Sequence, residues 1–201
     1  KKIPESFSHQ AVPYYSQWES PELTSAILSG KIPASADPLW QNSGALTPAE
    51  YELWSWNACG MACLKMLLAH KQTLEVPLVT LAKQCLSYGG YQEPLKDSPG
   101  LFYKPFCTFV KVEYQLAAKP VTALTITEII QTIGSGGYVI ASVNPAIRDP
   151  NSIATTKGGH LILIFGYNKK AKTLYFHNPS GGTTQNQSHV ALTYQQFKKF
   201  F

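Results

Sequence analysis

The stretch Trp56-Asn57-Ala58-Cys59-Gly60-Met61-Ala62-Cys63 decides how this chain is read. From Cys59 to about His70 there is no proline and no glycine after Gly60, while Ala62, Cys63, Met66, Leu67 and His70 recur at three-to-four spacing. That is the period of a helix burying one face. Cys59 falls in its first turn, among small residues that leave the sulfur approachable. A thiol there feels the positive end of the helix macrodipole, which favours the nucleophilic thiolate. Cys63 lies one turn on, where the helix has entered the core, and reads as structural. No second pair at ligand spacing accompanies Cys59 and Cys63, so neither a metal site nor a cofactor is expected.

A nucleophile needs a base. Gly158-Gly159-His160-Leu161-Ile162-Leu163 places a histidine at the mouth of the most apolar run of the chain. A buried imidazole without partners is costly, and two preceding glycines let another segment approach closely. The run 161–165 is apolar without alternation, as in a central strand covered on both faces. The next strand, Leu174-Tyr175-Phe176-His177, ends in Asn178-Pro179-Ser180-Gly181. A hairpin through residues 168–172 brings Asn178 to the same end of the sheet as His160, where its side-chain oxygen can orient the ring. His177 points to the opposite sheet face and receives no role. His9, His70 and His189 read as surface or helix-end residues.

Outward from this centre, Thr47-Pro48-Ala49-Glu50 has the form of a helix start. Further helices are expected at 77–87, at 126–133 with Thr125 as cap and Gly134 as stop, and at 194–200. Strands are expected at 138–143, 159–167 and 173–177, with an aromatic strand near 106–113 and a short one near 11–15. The first 57 residues hold six of the fourteen prolines and all four tryptophans and read as an irregular, aromatic-rich arm.

The chain has 201 residues, of which 44% are hydrophobic and 14% charged, enough for a real core in one domain spanning 1–201. The net charge is +5, but the lysines are scattered, which argues against a nucleic-acid partner. No apolar run approaches the roughly 20 residues of a membrane span. Four cysteines are too few for a disulfide-built fold, although one bridge, such as Cys85 to Cys107, is open. The start at Lys1-Lys2, without initiator Met or signal-peptide pattern, suggests a mature or trimmed form.

Three motifs together resemble the C-thirty-nine-like branch of the papain-like cysteine peptidases, relatives of the double-glycine leader peptidases of bacteriocin exporters. They are Val12-Pro13-Tyr14-Tyr15-Ser16-Gln17, Asn57-Ala58-Cys59-Gly60-Met61-Ala62-Cys63-Leu64, and Gly159-His160 through Gly166-Tyr167-Asn168 followed by His177-Asn178-Pro179. The resemblance implies an α+β fold with a central nucleophile-bearing helix packed on an antiparallel sheet. It implies Cys59 as nucleophile, His160 as base, Asn178 as orienter and Gln17 as a side-chain donor to the oxyanion hole. Family members usually carry that glutamine much closer to the cysteine, so Gln41 or Asn57 could take its place. The family often has Asp where this chain has Asn178. A peptide or protein substrate is expected, in a bacterial, secreted or cell-surface setting. Amidase or acyl-transfer chemistry on the same triad, and a catalytically silent peptide-binding module, are the competing readings. The sequence does not fix the oligomeric state.

Overall fold

Short β-branched and aromatic runs, most of them late in the chain, make the sheet, and stretches of 3.6-residue periodicity make the longer helices. The computed structural model describes residues 2–201. In chain order the elements are β1 (Ser6–Ser8), α1 (Thr24–Leu28), α2 (Pro48–Ser55), α3 (Cys59–Gln72), α4 (Leu78–Ser87), α5 (Tyr103–Tyr114), α6 (Ile126–Gly134), β2 (Val139–Val143), β3 (His160–Asn168), β4 (Thr173–His177), α7 (Thr184–Gln187), β5 (Val190–Thr193) and α8 (Tyr194–Phe197). The fold is mixed helix and antiparallel sheet, consistent with a papain-like architecture.

The sheet is organised around β3, whose residues are buried through Tyr167. On one edge β2 pairs with its first half (Val143 opposite His160) and β1 with its last three residues. On the other edge runs β4, followed by β5. Burial on both faces explains why the run lacks alternation. One face carries Ile162 and Ile164 against α6 and the C-terminal Phe197 and Phe200. The other carries Leu163 and Phe165 against Cys63 and Met66 of α3, with Val12. The β3–β4 hairpin closes with Asn168 opposite Thr173, but its register shifts between Ile164 and Gly166, so that Leu163 faces His177.

Helix starts follow local chemistry. Thr47 Oγ1 accepts the Glu50 N–H at 3.0 Å. Thr125 and Glu128 cap each other reciprocally at the start of α6. Among the described residues no helix is long and apolar enough to cross a membrane.

Several expectations are corrected. Residues 106–113 are not a strand but belong to α5. Its aromatic, β-branched composition suggests a strand, yet the buried residues Phe106, Phe109 and Val110 keep helical spacing, and Pro105 sits in the first turn where no N–H is needed. The strand expected near 11–15 lies earlier, at β1. Ala11 has φ of +55°, and Pro13 has no N–H for a ladder, so pairing ends where His9 N–H donates to Phe165 O at 3.0 Å. The short edge strand β5 is an addition, and α8 ends at Phe197 rather than at 200. All four cysteines are free thiols, so Cys85 and Cys107 are not bridged.

The proline-rich first third is ordered by a buried carboxylate. Asp37 is 1% exposed and accepts Ser20 N–H, Ser20 Oγ–H, Leu39 N–H and the Tyr51 hydroxyl at 2.6 to 3.0 Å. With four donors, this carboxylate is satisfied by hydrogen bonds and ties the segment to α2.

Candidate active site

Cys59 opens α3, and the chain reaches it through a tight turn in which Asn57 N–H donates to Trp54 O and Ala58 N–H to Ser55 O. The N–H groups of Cys59 and Gly60 lie in the first helical turn, where no intrahelical acceptor exists. Gly60 sits in close packing: a methyl group there would lie 2.7 Å from Leu101 Cδ2 and 2.9 Å from Leu161 Cδ1. The start of α3 therefore presses against the residue that follows His160. Cys63 makes the same connection one turn on, its Sγ 3.8 Å from Leu161 O.

Cys59 is half-buried, while Cys63 is sealed. Dense surroundings push the Cys59 thiol up from its ordinary value, opposed by the backbone N–H groups of Leu161, Gly60 and Cys59 itself and then by the charge of Arg148. The resting group is thus a protonated thiol at a half-buried position. The macrodipole argument from sequence captures the opposing contribution but not the burial that outweighs it.

Across the sheet mouth, His160 Nε2 lies 2.7 Å from Asn178 Oδ1 and 3.1 Å from Ser180 Oγ. The Asn178 amide is oriented by a second contact. Ser180 N–H donates to the same Oδ1 at 3.2 Å, so the atom facing it must be the acceptor. Nε2 therefore carries the proton, and Nδ1, which makes no hydrogen bond, keeps its lone pair. Burial, then the neighbouring charge of Arg148, holds the imidazole at about 3 against the opposing effect of the Asn178 bond. His160 is neutral at physiological pH and able to accept a proton at Nδ1. No direct hydrogen bond joins the Cys59 thiol to the ring in this structure.

The N-terminal motif lies against the third one. Tyr14 Oη donates to Asn178 O at 3.1 Å, while Ser16 Oγ and Gln17 N–H both donate to Pro179 O. This carries Gln17 to the turn before Cys59, where its Nε2 donates to Ser55 O at 3.0 Å. The second Nε2 hydrogen remains available. Of the alternatives to Gln17, Gln41 is exposed on a short turn, and Asn57 Nδ2 donates to Leu53 O at 3.0 Å.

Among the described residues only three buried side-chain polar atoms lack a partner: Gln17 Oε1, Trp18 Nε1 and Asn178 Nδ2. All belong to the two segments flanking this site. His177, in contrast, is fully paired. Its Nε2 meets Val12 O at 2.9 Å, and its Nδ1 accepts His189 N–H at 3.1 Å.

Ser180 and Arg148 escaped the sequence reading. Arg148 Nε donates to Ser180 O and Oγ at 2.9 and 3.0 Å, and Nη2 to Oγ at 2.7 Å. A surface cavity of about 440 Å³ borders Arg148, Asp149, Thr183 and Asn186 but includes neither Cys59 nor His160. No group of three or more His, Cys, Asp or Glu residues able to hold a metal ion occurs among the described residues.

Compared with known proteins, the chain matches the sequence model of the Peptidase_C39 like family over residues 9–200. No curated protein and no solved structure matches it.

Proposed function

The chain belongs to the Peptidase_C39 like family, and from that premise we propose that it is a cysteine peptidase that cleaves peptide bonds through Cys59, His160 and Asn178. The observation that carries this reading is the 2.7 Å contact from Nε2 of a buried, neutral His160 to an Asn178 amide of fixed orientation, which leaves Nδ1 bare. In the first step Nδ1 takes the Cys59 proton as the sulfur attacks the substrate carbonyl. The imidazolium then returns that proton to the leaving amine, and the thioester is hydrolysed by a water that His160 deprotonates. The Cys59 backbone N–H and the free Nε2 hydrogen of Gln17 form the oxyanion hole. In this reading α3 is the central helix of a papain-like arrangement.

The exposed aromatic side chains next to the nucleophile in the chain, and those after Leu101, suggest an apolar residue near the scissile bond. Leu101 packs at Gly60, Phe102 and Tyr103 follow it, and Trp56 is 46% exposed three residues before the nucleophile. Trp56 also meets Trp18 edge-on.

The test is product analysis by mass spectrometry after incubation with a mixed peptide pool and with wall-derived amide fragments. The expected result is peptide hydrolysis by the parental protein and none by C59A. Products that join substrate to an added amine would move the assignment to acyl transfer, and cleavage by C59A at the parental rate would end it.

A further inference from the structure

Arg148 is the only arginine in the chain, and its guanidinium is partnered only by neutral groups. Both hydrogen-bonding nitrogens are directed at Ser180, and Nη1 makes no hydrogen bond. The two ion pairs of the described residues, Lys83 with Glu50 and Lys169 with Glu5, lie elsewhere. The neighbouring Asp149 accepts Asn151 N–H instead. A guanidinium stays charged throughout the working pH range, and holding one partly buried without an acid is unfavourable. As a mere tie between two turns, a neutral donor would serve without that cost. Such placement is useful if an anion forms beside it.

The register of the sheet says where. Leu163 faces His177 across β3 and β4, and continuing that ladder by three residues sets His160 opposite Ser180. Ser180 Oγ, gripped by Arg148, stands 3.1 Å from Nε2. Asn186 Nδ2 in turn donates to Arg148 O at 2.7 Å, fixing the arginine backbone. We propose that Arg148 is a positioning residue of the catalytic centre: through Ser180 it fixes the imidazole of His160, and its guanidinium, which has no acid partner, lends positive charge to the site. This rests on the reading of Cys59 and His160 as nucleophile and base.

The charge acts in one direction on both partners. It favours thiolate at Cys59 and disfavours imidazolium at His160, so the imidazolium formed during attack is a stronger acid toward the leaving amine. No carboxylate offsets this. The groups facing Cys59 are Arg148, Cys63 and Tyr91, the latter two neutral, with the Leu161 and Gly60 N–H groups. Those facing His160 are Arg148, Asn178 and Ser180.

The test is the rate of Cys59 alkylation by iodoacetamide from pH 7 to 11, resolved by site with mass spectrometry. R148Q should move the Cys59 midpoint upward by about one pH unit, which means roughly tenfold slower labelling below the midpoint. R148K keeps the charge but loses the two-nitrogen grip on Ser180. Its midpoint should stay within a few tenths of a unit of the parental one while kcat falls about tenfold. A parental midpoint in R148Q would overturn the proposal. So would a full-unit shift in R148K, and that arm decides the matter even if R148Q fails to fold. The alkylation profile does not depend on substrate, so a protein that shows the R148Q shift but hydrolyses no peptide would refute the peptidase reading and leave the electrostatic role of Arg148 standing.

Discussion

His160 and His177 are buried imidazoles on adjacent strands, both held neutral far below the ordinary value, at about 3 and about 4, chiefly by burial. Their wiring differs. Both nitrogens of His177 are spent on backbone groups, of Val12 and His189. His160 spends only Nε2, on side chains that fix the ring and leave Nδ1 free. Depressed basicity alone therefore does not identify a catalytic base. The distinguishing feature is the nitrogen the fold leaves unpaired at the end of the sheet where Cys59 lies. Cys59 and Cys63 repeat the lesson on α3, one half-exposed and the other enclosed.

This contrast yields separable outcomes. H160A should lower kcat/KM by about 10³-fold or more, because no other group can take the thiol proton. H177Q should instead act on folding and leave turnover per folded molecule within about threefold of the parental value, provided the fold survives. Steady-state kinetics normalised to the folded fraction separates the two. Equal loss of turnover in both variants would erase the distinction.

The next largest effect is on stability. Both folded-state values lie below the ordinary 6.5, so folding favours the neutral ring. The associated stability is fully present above about pH 6.5 and is lost as pH falls from there toward 4 for His177 and 3 for His160. For His177 the loss is on the order of 3 kcal/mol. Urea unfolding at pH 7 and pH 4.5 should show it, and H177Q should flatten the slope. A slope unchanged in H177Q would place the acid sensitivity elsewhere.

Smaller still is the effect of packing α3 against the strand mouth. G60A must displace the ends of Leu101 and Leu161, and because both are flexible side chains the expected change is about tenfold in kcat/KM with a modest loss of stability. Kinetics together with a thermal melt checks it. Unchanged kinetics would mean that the close approach at Gly60 does not set the position of Cys59.

Much of this was legible in the residues. The start of α3, the central strand and the proximity of Asn178 to His160 follow from periodicity, apolar continuity and a short hairpin. Ser180 was not legible, because its place opposite His160 depends on the irregularity at Phe165, which shifts the ladder by one residue and leaves no sequence signature. Arg148 was hidden for a similar reason. It sits at the end of a short turn after Asn144, and only the tertiary path brings it to Ser180. In the first third, the burial of Asp37 organises prolines and tryptophans that read locally as irregular. Gln17 came from likeness, and its place beside the turn before Cys59 depends on the pairing of residues 14–17 with 178–179, contacts between distant parts of the chain.

The most direct measurement compares two half-buried thiols of the same molecule, Cys59 and Cys107. The protein is treated with one equivalent of a peptidyl electrophile at pH 7, and the adducts are mapped by mass spectrometry in the parental protein and in H160A. Modification at Cys59 alone, slowed strongly in H160A, is the predicted result. Equal labelling of Cys59 and Cys107, or labelling of Cys59 indifferent to His160, would contradict the assignment of a nucleophile and its base.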